Sequence, residues 1–177
     1  MPPLRLTRRL LPACLLAACA GEAVQPPLAG GIGFDAAVPA ILNTSAAFAE
    51  RSRLRGRPAS AARAVAQIEY LAVELQRVRW VGFDPLVAPE MLAARQEVRG
   101  VLGIAPDTLP QAVIDALTAT ATAIDTGQAP AAALAGPVFG LGPSATLARL
   151  ADLPDLPRTQ QATARALAAL QRREADL

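Results

Sequence analysis

Chemistry needs nucleophiles, bases or charge clusters, and this chain offers few of them. It has no histidine and no lysine, so the commonest general base, the usual metal ligand and any Schiff-base amine are missing. No nucleophile–base pair can be assembled without His, Lys or a free Cys. Four glutamates on two expected helices, Glu69, Glu74, Glu90 and Glu97, are the only contributors to a carboxylate pair of glycosidase type, and nothing in their spacing supports one. A metal site would need oxygen ligands alone, and no EF-hand-like run of acids occurs. The chain is expected to be no enzyme, to need no cofactor and to bind no metal.

Two clusters suit binding better than catalysis. Arg51, Arg53, Arg55 and Arg57 place four guanidiniums within seven residues. They read either as a solvated helix end, where cations favour the C-terminal dipole, or as a contact with anionic lipid headgroups or an acidic partner near the anchor. Tyr70, Trp80 and Phe83 gather at a helix junction beside Arg77 and Arg79. Their two readings are a plug that closes the core, and an exposed contact for a partner, since Trp, Tyr and Arg are enriched at binding hot spots. A third stretch, Gly136 to Ser144, leads into a helix start where backbone N–H groups could hold an anion. It follows no strand and lacks the P-loop lysine, and Phe139 and Leu141 suggest a loop folded onto the core.

The elements that position these residues are helical. Apolar residues recur at helical spacing, and no stretch alternates with a period of two. A first helix is expected from an Asp35 cap through Val38, Ile41, Leu42, Ser45 and Phe48, ending before Gly56. A second, over about 58–78, carries the stripe Val65, Ile68, Leu71, Leu75 and Val78, with Arg63, Gln67, Glu74 and Arg77 opposite. Further helices are expected over about 86–102 and 109–126, with Gly103 and Gly127 as stops. One helical turn is expected at 130–135, then a short helix capped by Ser144 and closed by Pro154 and Pro157, then a last helix from Thr159 to Arg172-Arg173. The fold class is all-α, a small Ala-rich bundle of about five or six helices. Alanine, at 41 of 177 residues, lets helices approach closely, and part of that excess resembles the coding bias of a GC-rich genome.

The N-terminus carries an address. Met1 to Arg9 holds three arginines and no acid, and an 11-residue run from Leu10 to Ala20 follows, broken in polarity by nothing but Pro12's kink. A membrane span needs about 20 residues. A basic start, a short apolar run and small residues after it describe a secretory signal peptide. Leu16-Ala17-Ala18-Cys19 resembles the lipobox of bacterial lipoproteins. That resemblance implies cleavage before Cys19 and acylation, palmitate included, of its sulfur and new amine. It covers about 20 residues and says nothing of the domain behind them. Ala18-Cys19-Ala20 also fits ordinary cleavage before Gly21, which would release a soluble periplasmic or secreted protein. Arg8-Arg9 is a weak match to twin-arginine export. Ala20 after the cysteine resembles lipoproteins sorted to the outer membrane in enteric bacteria.

The expected organisation is a signal peptide over 1–18, a lipid anchor and flexible tether over 19–34, and a helical domain over 35–177. Cleavage before Cys19 leaves 14 arginines against 15 acids, so the sequence pI of about 8.9 belongs to the precursor and gives no argument for nucleic acid. The functional expectation is a membrane-tethered periplasmic lipoprotein with a non-catalytic accessory or scaffolding role, meeting the membrane through its anchor and a protein partner in the envelope. The alternative is a periplasmic carrier of a small apolar ligand, held in a cavity between helices near Met91 and Phe139.

Overall fold

The computed structural model describes residues 24–27 and 36–175. The signal peptide, Cys19, the Asp35 cap and most of the tether lie outside the described residues. Among the described residues there is no strand, and seven helices follow one another: α1 (Ala37–Phe48), α2 (Pro58–Glu74), α3 (Val87–Leu102), α4 (Pro110–Asp125), α5 (Ala131–Leu134), α6 (Pro143–Ala151) and α7 (Pro157–Ala175). Two 3-10 turns, Arg51–Arg53 and Val78–Trp80, flank α2. The protein is therefore all-α, and the expected single turn near 130–135 is α5.

Proline sets many of the boundaries. Pro58, Pro110, Pro143 and Pro157 each open a helix, where the missing N–H costs nothing and the fixed φ suits the first turn. Pro157 was expected to close a helix and instead starts α7; Ser144 was expected to cap α6, and Gly142 does so.

The second helix is the axis of the fold. It touches α1, α3, α4 and α6, and its buried residues lie all round it. Ala59, Ala61, Ala62, Ala64, Ala66 and Ala72 make this possible, because small side chains let neighbours close in on every side. The amphipathic reading of this helix consequently fails at particular residues. Gln67 and Glu74, expected on the polar face, are 4% and 2% exposed. The helix also stops at Glu74, four residues early, because the chain turns extended at Arg77. Val78, expected on the apolar stripe, therefore falls outside the helix and is 85% exposed.

Several buried hydroxyls are satisfied locally, while that of Thr118 has no partner among the described residues. The hydroxyls of Thr44, Thr120, Thr146 and Thr163 each donate to the carbonyl four residues back in their own helix, at 2.7–2.9 Å. Glu69 on α2 and Arg99 on α3 form a buried ion pair, with two parallel N–H···O bonds of 2.7 Å and side-chain exposures of 0% and 4%. Arg99 also donates to the carbonyls of Ala105 and Pro106, tying the α3–α4 loop to the core.

The tether is not free throughout. Val24 is 9% exposed and belongs to the core, and the Gln25 N–H donates to Gln111 Oε1 at 2.7 Å. Residues 24–27 thus lie on α4 as a strap, where a flexible linker was expected.

Candidate functional site

The two clusters picked out in the sequence sit at opposite ends of α2, about 25 Å apart by the rise of a 17-residue helix. At its C-terminal end the chain folds into a knuckle. Trp80 N donates to Arg77 O at 2.9 Å, Val81 N to Val78 O at 3.0 Å, and Phe83 N to Trp80 O at 2.9 Å. These bonds turn Trp80 inward, to 5% exposure. Its indole N–H donates to Glu74 Oε1 at 3.3 Å, Phe83 meets it edge-on at 5.0 Å, and the guanidiniums of Arg79 and Arg173 cover the ring at 5.2 and 5.4 Å. The buried Glu74 carboxylate accepts from Arg77 at 3.1 Å and from Arg79. Tyr70 is also buried, at 3%.

The aromatic cluster is therefore a plug, and what the junction shows to solvent is different. Turning Trp80 inward points its neighbours outward, and Val78 and Val81 are 85% and 83% exposed. Arg77, Arg79 and Arg173 flank them on the surface. Sequence periodicity missed these valines because it counted Val78 into the helix.

At the other end, the arginine run is neither a helix end nor free. It forms a 3-10 turn and the turn into α2, after α1 has already stopped at Phe48. Arg51 donates to Leu153 O at 2.9 Å and to Asp152 at 3.1 Å, and lies 3.8 Å from Asp155. Arg55 is 3.5 Å from Asp152, and Arg53 is 3.9 Å from Glu50. Arg57 is exposed. Acids on the α6–α7 linker thus neutralise much of the charge that lipid phosphates would meet. The same contacts frame a cleft of about 350 Å³, with Phe48, Leu54, Leu153 and Leu156 as its apolar lining and Arg51, Asp155 and Gln160 at its rim.

The four glutamates considered for acid–base work are each held elsewhere. Glu69 is paired with Arg99 and Glu74 with the knuckle arginines. Glu90 accepts from Arg165 at 2.8 Å and from Gln161 at 3.1 Å. That hydrogen bond, opposed by desolvation and aided by the charges of Glu90 and Asp84, raises Arg165 above the ordinary guanidinium range. Glu97 accepts from the N–H groups of Arg158 and Thr159 and from the Thr159 hydroxyl, capping the start of α7 from a neighbouring helix.

The Gly136–Ser144 loop is folded onto the core. Phe139 is 4% exposed, and Gly140 N donates to Gly103 O at 3.0 Å. Gly103 is the contact that requires a glycine: its φ is +66°, and a Cβ there would stand 2.6 Å from Leu141 Cγ. Met91 is fully buried.

No described helix is long and apolar enough to cross a membrane. The chain matches no protein-family model, no curated protein and no solved structure.

Proposed function

We propose that the chain is a membrane-tethered lipoprotein of the cell envelope, facing the periplasm at the outer membrane, with a non-catalytic accessory role exercised by binding a protein partner. Acyl groups on Cys19 would be the anchor, by the lipobox pattern of Leu16-Ala17-Ala18-Cys19. The observation that carries the non-catalytic reading is the engagement of Glu69, Glu74, Glu90 and Glu97, each fixed by an arginine or by a helix N-terminus. A general acid or base must instead reach a substrate proton.

The cleft beside Phe48 and Leu156 favours binding. An apolar floor inside a charged rim is the arrangement of an interface centre and its surround. A photo-cross-linking residue in place of Gln160 should give one saturable adduct with an envelope protein. Ala47→Arg, which fills the cleft from α1, should abolish that adduct while leaving the thermal midpoint intact. Adducts that are diffuse, or indifferent to Ala47→Arg, overturn the reading.

A carrier is the second reading, with its site in this cleft and not near Met91 and Phe139 where it was expected, since about 350 Å³ lies within the range of small-ligand sites. A small apolar molecule that copurifies with the parent and not with Ala47→Arg would favour the carrier over the partner.

A further inference from the structure

The knuckle presents two valines beside a buried tryptophan, and the strap limits how far the anchor can stand from it. Val78 and Val81 are more than four-fifths exposed on a turn whose own Trp80 is locked into the core. An exposed apolar pair on a turn anchored by a buried tryptophan, with arginines of long apolar stem beside it, suits an interface between water and hydrocarbon.

The placement follows from three contacts. Arg63, near the start of α2, pairs with Asp125, at the end of α4, at 2.6 Å. The two helices therefore run antiparallel, and α4 begins at the end of α2 that carries the knuckle. Gln111, the second residue of α4, accepts the Gln25 N–H, and its own amide is fixed by donating to Asp115 at 2.7 Å. Gln25 stands six positions after Cys19, a reach of about 20 Å at full extension. Leu109, 67% exposed just before α4, lies at this end too.

We propose that this end of the bundle rests on an anionic bilayer surface, with Val78 and Val81 entering the headgroup region and the positive charge that Arg77, Arg79 and Arg173 keep beyond their one shared acid, Glu74, drawing lipid phosphates. The inference rests on the Cys19 anchor proposed above. It moves the lipid contact from the arginines at 51–57, which meet Glu50, Asp152 and Asp155, to the opposite end of α2, where Arg77 and Arg79 share Glu74 alone among the ion pairs described, and leaves the cleft facing away from the membrane. Arginine near an anionic surface and apolar side chains at the interface act in the same direction here.

The test uses the lipidated protein reconstituted into vesicles of phosphatidylglycerol and phosphatidylethanolamine. With Cys19 acylated and Cys14 removed in the signal peptide, a cysteine placed by Val81→Cys is the sole free thiol for a fluorophore. Arg57→Cys gives the matching probe at the far end. A lipid-borne headgroup quencher should quench the probe at 81 several-fold more than the probe at 57. Val78→Asp should remove that difference while leaving the thermal midpoint unchanged, and neutral phosphatidylcholine vesicles should weaken it. Equal quenching at both positions, in protein that carries acyl chains and stays with the vesicles, overturns the docking and leaves the anchor standing. Protein that carries no acyl chain overturns both.

Discussion

Replacing Glu69 by glutamine removes one charge of the buried pair and leaves the Arg99 guanidinium, 4% exposed, without its counterion. Arg99 keeps its bonds to the carbonyls of Ala105 and Pro106, so it stays in place instead of swinging out to water. Breaking a buried pair from one side costs about 3–5 kcal/mol. In a domain of this size that lowers Tm by roughly 10 °C. Arg99→Met should cost about as much, by stranding a carboxylate with 0% exposure. The double variant Glu69→Gln/Arg99→Met removes both charges. It should lie only about 1–3 kcal/mol below the parent, chiefly because the two loop carbonyls lose their donor. Urea unfolding of all four proteins closes the cycle. A Glu69→Gln variant within 1 kcal/mol of the parent, or a double variant as unstable as the two singles combined, would refute the assignment of this pair.

The other predictions concern single sites. Trp80→Ala should destabilise the fold by about 3–5 kcal/mol, while Val78→Ala should stay within about 0.5 kcal/mol, both read from chemical denaturation. Gly103→Ala forces a Cβ into Leu141 at a left-handed backbone and should cost on the order of 2 kcal/mol. Gly100→Ala, in the same helix with open space around it, should stabilise by about 0.5–1 kcal/mol, so the two thermal midpoints should move in opposite directions. Glu97→Ala should cost about 1 kcal/mol and raise amide exchange at Arg158 and Thr159, because α7 loses its cap.

The helices were legible because leucine, valine and isoleucine recur at helical spacing and proline and glycine punctuate the chain. Helix ends were less so, since proline both stops and starts helices, as Pro157 does. The polar face assigned to α2 failed because a helix rich in alanine is packed on all sides, where Glu69 finds a partner distant in sequence and Glu74 is held by the turn that follows it. Glu69 offered a signal: it stands alone among Val65, Ile68, Leu71 and Ala72, too apolar a setting for a solvated acid. Its partner, 30 residues on, could not be read from spacing. Val78 and Val81 were hidden by the same periodicity that found the helix, because only the inward turn of Trp80 sends them out. The strap was invisible because Pro26-Pro27 and the glycines after it read as a linker, while its hold on α4 is one backbone bond and one buried valine.

The most direct test of the account is the intact mass of the protein extracted from its own host's membranes. The expected product is a chain that begins at Cys19 and carries the added mass of acyl groups. A chain that begins at Gly21 with no added mass would contradict it, and would remove the bilayer from the knuckle.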